Sequence, residues 1–216
     1  KARLRHSITH THIHTTPSAT LDYSNSNIQH PQNPTPIEPM GQTWQRYKTK
    51  NQRRVLLVGL DAAGKTTLLF RLYSGKTLNT VPTVGFNAKT FNYQGLSINM
   101  WDVGGQDELR EFWRHHFTGT QGLIYVVDAS DRDRIEEASQ LFETVVTDLQ
   151  LVDASILILA NKQDLPHAVS SDELAKIFQV ERLCQGRKIH LQATTATTNE
   201  GVNEGMDWLA HNMERL

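Results

Sequence analysis

Residues 59–67 read Gly59-Leu60-Asp61-Ala62-Ala63-Gly64-Lys65-Thr66-Thr67. The first eight fit G-x-x-x-x-G-K-[ST], a loop whose backbone N–H groups cradle phosphates. Glycines at 59 and 64 let the chain turn so that successive amides converge. The helix that follows adds the positive end of its dipole. In loops of this kind the lysine, here Lys65, reaches the β- and γ-phosphates, and the following hydroxyl, here Thr66, ligates Mg²⁺. The flanks agree with that reading. Arg53-Arg54-Val55-Leu56-Leu57-Val58 is an apolar, β-rich run, and Thr67-Leu68-Leu69-Phe70-Arg71-Leu72 continues as a helix.

Three more motifs follow, each at the end of a strand-like run. Trp101-Asp102-Val103-Gly104-Gly105-Gln106 comes after the alternating segment Leu96 to Met100. A carboxylate at a strand end, Asp102, suits a water-mediated Mg²⁺ contact. Gly105 can bring its N–H to a γ-phosphate because no side chain intervenes, and Gln106 is placed to orient an attacking water. Asn161-Lys162-Gln163-Asp164 follows the buried-strand run Ser155 to Ala160. Two acceptors on Asp164 match guanine N1–H and N2–H₂, a donor pair that adenine lacks; sites of this type discriminate by roughly 10⁴–10⁵. The Lys162 stem can lie along the purine face while Asn161 braces the loop. Last, Thr195-Ala196-Thr197 follows the strand Ile189 to Ala193; there the Ala196 N–H is expected to donate to guanine O6.

With these residues in hand, the chain resembles the ADP-ribosylation factor (Arf) and Arf-like small GTPases from about Arg53 to Leu216. The resemblance rests on the phosphate loop at 59–67, Pro82-Thr83-Val84-Gly85-Phe86-Asn87, the Trp101 to Gln106 string, Phe112-Trp113-Arg114-His115-His116-Phe117 and the 161–164 motif. It implies that Thr83 ligates Mg²⁺ beside Thr66 and senses the γ-phosphate. It also implies a hairpin over Val84 to Trp101 that shifts register on GTP binding. The residues themselves support the hairpin, with Asn92-Tyr93-Gln94-Gly95 as its turn. The expected fold is α/β: a P-loop GTPase with a six-stranded, mostly parallel sheet and helices on both faces. Phe86, Trp101 and His116 occupy the positions of the family's aromatic effector surface, with histidine standing where tyrosine is usual. A Sec7-type exchange factor, a GTPase-activating protein and effectors of the GTP form are implied as partners.

The patterns of strand and helix alternate along 53–216, as a doubly wound sheet requires. Ile135, Ala138, Leu141, Val145 and Leu149 form one apolar stripe after the capping candidate Ser130, and Val202, Met206, Leu209, Met213 and Leu216 form another. Both are expected to face the core. A net charge of −1 over 216 residues offers no case for nucleic acid as a partner. The single cysteine, Cys184, excludes an internal disulfide, fits a reducing compartment and reads as a buried helix-end residue.

Residues 1–40 hold five of the seven prolines and five of the ten histidines, with no periodicity, and read as a disordered extension. Two readings of it stand. Translation starts at Met40, so that 1–39 derive from an upstream reading frame, or the tail is a genuine part of the protein. In the first case Gly41 is exposed after Met removal and resembles an N-myristoylation site, although Gln45 occupies the Ser/Thr position. Segment 41–52 is basic and membrane-proximal in this reading. Arg46, Lys48, Lys50, Arg53 and Arg54 stand in 41–54 with no acid. Myristate plus basic charge then anchors the protein reversibly; the alternative is a solvated basic linker. The expected location is cytoplasmic and peripheral on intracellular membranes, Golgi or endosomal. The leading function is a slow GTPase switch in vesicle traffic, with GTP/GDP and Mg²⁺ as cofactors and Gln106 and Lys65 as catalytic groups. A GTP-binding scaffold with little turnover is the alternative; a metabolic P-loop enzyme is disfavoured by the intact 161–164 motif.

Overall fold

The computed structural model describes residues 51–77 and 80–213. Six strands, β1 (Gln52–Val58), β2 (Phe86–Tyr93), β3 (Leu96–Val103), β4 (Gly122–Asp128), β5 (Ser155–Asn161) and β6 (Ile189–Ala193), form one sheet in the order β2-β3-β1-β4-β5-β6. The β2–β3 pair is antiparallel and every other pair is parallel. Central strands buried on both faces need apolar residues throughout. β5 is buried along its whole length, and β4 everywhere except Asp128.

Alternation divides the core into two layers. Leu56, Val58, Leu123, Tyr125, Ile156 and Ile158 face one side, where α3 (Ile135–Val146) and α4 (Ser171–Ile177) supply Phe142 and Leu174. Val55, Leu57, Ile124, Val126, Leu157 and Leu159 face the other, against Leu68 and Leu69 of α1 (Lys65–Ser74) and Met206 and Leu209 of α6 (Val202–Asn212). Two four-residue helices, α2 (Asp107–Arg110) and α5 (Val180–Leu183), complete the α-helices among the described residues. The expected α/β fold with helices on both faces is what forms. β1 has β3 on one side and β4 on the other, so the sheet's strand order reverses at its carboxyl end, where open α/β sheets bind ligands.

Several boundaries differ from the sequence reading. β1 starts one residue earlier, at Gln52. The hairpin strands run 86–93 and 96–103, joined by Gln94 and Gly95 with φ 47° and 78°, a two-residue turn of the twist-matching kind. Ser130 does not cap α3. Its hydroxyl donates to Asp128 (2.6 Å), and the helix starts at Ile135. Leu149 leaves the stripe as well: α3 ends at Val146, and Leu149 opens a 3₁₀ turn with 86% of its surface exposed. The apolar period runs on in sequence past a helix end that no Gly or Pro announces. Cys184 is buried at the end of α5, as expected. Leu216, Gly41, the Met40 start and residues 1–50 lie outside the described residues.

Candidate nucleotide site

The loop after β1 is held in shape by its own lysine. Gly59 takes φ 139°, and a side chain there would meet the Val126 carbonyl oxygen at 2.1 Å, so only glycine lets the loop cross β4. The Lys65 ammonium donates to the carbonyls of Gly59 (2.9 Å) and Leu60 (2.7 Å). Leu60 and Ala63 pin the loop into the core with their side chains, and Ala62 sits exposed at φ 58°. α1 begins after Gly64 with no side-chain cap, which leaves its first-turn N–H groups open to an anion. Asp61, Ala62, Gly64, Lys65, Thr66, Thr67, Thr83, Gly105, Gln106 and Lys162 line one cleft of about 380 Å³. A larger groove of about 630 Å³, floored by Trp113, Phe117 and Val145, holds none of these groups.

Burial pushes the Lys65 ammonium down to about 8, against the pull of Asp102 and Asp61. A polyphosphate beside it raises that value again, because an opposite charge favours the protonated form. Below the free-state value Lys65 is already charged; above it, binding must restore the proton. Affinity for a nucleotide should therefore fall as pH rises past about 8. Calorimetric titration at about pH 9, in buffers of different ionisation enthalpy, should show uptake of about one proton, and almost none at about pH 7. Equal uptake at both would contradict this assignment.

Three side chains meet beside the loop on one atom, Asp102 Oδ2. Thr66 donates to Asp102 Oδ2 (2.6 Å), and Thr83 and Asn87 approach the same oxygen at 3.4 and 3.5 Å. The Thr66 and Thr83 hydroxyls stand 2.9 Å apart. Asp102 is fully buried, and its other oxygen, Oδ1, has no hydrogen-bond partner. Burial outweighs these donors and raises the carboxyl above its usual range. An orphaned buried carboxylate oxygen beside two hydroxyls suits a hard divalent cation such as Mg²⁺. Among the described residues no cluster of three or more His, Cys, Asp or Glu could hold a metal. Such an ion would share its shell with phosphate and water, as Mg²⁺ prefers.

Gly105 packs against the loop itself. A side chain there would lie 2.5 Å from the Asp61 nitrogen, the Gly59 oxygen and the Leu60 carbonyl carbon. Its sequence reading concerned only a γ-phosphate; the backbone contact is a separate demand for glycine. Gln106 precedes α2, half-buried on the cleft, and its side chain has no protein partner among the described residues.

The base end is also assembled. Asn161 donates to the Ala63 carbonyl (2.8 Å), bracing the phosphate loop as expected, and its Oδ1 accepts from the Ala196 N–H (3.0 Å). That N–H therefore serves Asn161 in this structure rather than standing open toward O6. Lys162, at φ 66°, is tied to Asp128 (2.6 Å) at the end of β4, which sets the course of its stem. Asp164 is exposed and has no protein partner among the described residues.

A family model described as ADP-ribosylation factor family matches residues 40–213. The chain belongs to that family. It is thus an Arf-family small GTPase, of the class that switches between GDP and GTP, hydrolyses GTP and works with exchange factors, activating proteins and effectors. It is also similar to the solved Arl6 (BBS3) small GTPase of Trypanosoma brucei with bound GppNp. Identity is 26% and TM-score 0.70, over 76% of this chain and 99% of that one. No described helix is long and apolar enough to cross a membrane.

On this Arf-family chain Phe86, Trp101 and His116 do come together, with ring centroids 5.1, 5.3 and 5.5 Å apart. The Arg54 guanidinium covers Trp101 at 4.3 Å. Burial, then Arg54 and His115, push the His116 imidazole below its usual range. Two arginines escaped the sequence reading. Arg110 donates to the Gly105 carbonyl (3.0 Å) and pairs with Glu137 and Asp107 at 2.8 and 2.6 Å. Arg134 bridges Asp61 (2.9 Å) and Asp131 (2.7 Å), so the Asp61 carboxylate is held by that arginine. Neither arginine sits in a recurrent motif; only the fold brings them to the loop.

Proposed function

We propose that this Arf-family protein is a slow, Mg²⁺-dependent GTP switch that recruits effectors to membranes in vesicle traffic. The observation that carries the switch is the convergence of Thr66, Thr83 and Asn87 on Asp102 Oδ2, with Oδ1 left unpartnered. Those side chains come from the phosphate-loop helix, the segment before β2, β2 itself and the end of β3. A γ-phosphate and its cation would hold these four segments to one another more firmly than a diphosphate does.

Thr66, Thr83 and Asp102 would hold Mg²⁺, the last through water; when bound, the ion neutralises charge on the β- and γ-phosphates. Lys65 turns from the loop carbonyls toward the phosphates and adds its positive charge. Asp164 accepts from guanine N1–H and N2–H₂, and Lys162 covers the purine. Gln106 orients a water in line with the γ-phosphorus. The water oxygen bonds to phosphorus, the bond to the β–γ bridging oxygen breaks, and GDP and phosphate leave. Arg110 and Arg134 are occupied by their carboxylates, so a transition-state arginine would come from an activating protein, worth roughly 10³–10⁵ in rate. The ring cluster of Phe86, Trp101 and His116 would receive effectors.

Membrane attachment would use myristate at Gly41 with the basic residues of 41–54. A single acyl chain binds marginally, and each basic residue near an anionic leaflet adds roughly 1 kcal/mol. The GTP-loaded, myristoylated protein should float with vesicles containing phosphatidylserine and should detach as salt rises. Equal flotation of GTP and GDP forms, or flotation indifferent to salt, would overturn this part.

A further inference from the structure

Among the described residues β2 is an edge strand paired only with β3, so the hairpin joins the sheet through the β3–β1 ladder. That ladder sets Ile98 and Met100 in the core. A one-residue slip would turn them outward, whereas a two-residue slip keeps every side chain on its face. Side-chain facing alone therefore does not choose between this register and its two-residue neighbours. Contacts at the ends of the hairpin add to that choice.

One such contact lies at the turn. The Tyr93 hydroxyl stands 2.6 Å from Asp207 Oδ1 on α6, with the Asn203 carbonyl at 3.2 Å, and Gln94 Nε2 donates to the same Asp207 oxygen at 2.6 Å. At the other end of β3, Asp102 accepts from Thr66 at 2.6 Å. A two-residue slip displaces both ends by about 6.6 Å, further than any of these bonds survives. The turn contact and the Asp102 contact thus exist in the same register. The Tyr93 phenol is held far above its usual value by burial and by Asp207, so it remains a donor.

We propose that Asp207 is a positioning residue: by latching the hairpin turn to α6, it favours the register in which Asp102 meets Thr66 and Thr83, and with it the triphosphate-bound form. The proposal rests on the GTP-switch reading above. Its test is the ratio of affinities for a non-hydrolysable GTP analogue and for GDP, with Mg²⁺ present, on the full chain. Asp207→Ala should lower the analogue-to-GDP ratio about five- to tenfold, with GDP affinity little changed. Asp207→Asn keeps one acceptor oxygen and should fall between; Tyr93→Phe removes one donor and should lower the ratio by itself. A ratio unchanged in Asp207→Ala and in Tyr93→Phe overturns the latch. Should the alanine variant fail to fold, Tyr93→Phe decides alone. An unaltered chain that binds neither nucleotide defeats the switch reading itself, an outcome distinct from an unchanged ratio.

Discussion

Asp164→Asn should cost this protein most of its affinity for GTP, about 10²–10⁴-fold, while raising its affinity for xanthosine triphosphate. Asp164 is exposed, free of protein partners among the described residues, and follows a loop fixed by Asn161 and by the Lys162–Asp128 pair. Nothing among the described residues consumes its two acceptor oxygens. Two hydrogen bonds to a carboxylate contribute about 1.5–3 kcal/mol each, which sets the size of the loss. An asparagine presents an acceptor and a donor. It clashes with guanine N2–H₂ and matches the C2 carbonyl of xanthine. Competition of labelled GTP by each nucleotide gives the result directly; retained GTP preference in the variant would remove Asp164 from base recognition. Protein stability should barely change, since no contact within the fold is lost.

Gln106→Leu should lower activator-stimulated GTP hydrolysis by about a hundredfold or more, the cost of a misplaced attacking group. GTP binding should stay within a few-fold. The side chain lines the cleft without a protein partner among the described residues, and the adjacent backbone is fixed by Gly105 against the phosphate loop and by Arg110 on the Gly105 carbonyl. Leucine has the volume and none of the hydrogen bonds, so the loop keeps its place while the water loses its orienting group. Single-turnover hydrolysis with an Arf activating domain checks this. Undiminished turnover would mean that Gln106 has no part in the reaction.

Much of this site can be read in the chain because it consists of short contiguous loops at strand ends. The phosphate loop, Asp102 to Gln106, and Asn161 to Asp164 each carry their own backbone geometry, and the flanking apolar runs give the strands away. Contacts between loops are a different matter. Arg134 reaches Asp61 across 73 positions of sequence and Asn161 reaches Ala63 across 98. Arg134 stands in a charged, irregular turn that reads as solvated surface. The Asp207 contact is hidden for the same reason: an exposed acid on an amphipathic helix looks like any other until the hairpin turn is placed beside it. Ser130 and Leu149 mislead for local reasons, an Asp128 that captures the candidate cap and a helix that stops without a breaker. The Ala196 N–H shows the reverse case, where a residue sits where expected but serves Asn161 first.

The Asp102 corner is expected to hold a guanine nucleotide through Mg²⁺. The direct measurement is the dissociation rate of fluorescent GTP-analogue and GDP complexes, with Mg²⁺ and again after EDTA, with an ATP analogue as control. Tight retention of both guanine nucleotides is expected, with release of each accelerated severalfold or more by EDTA and no retention of the ATP analogue. Equal retention of the ATP analogue, or release indifferent to Mg²⁺ removal, would contradict that expectation.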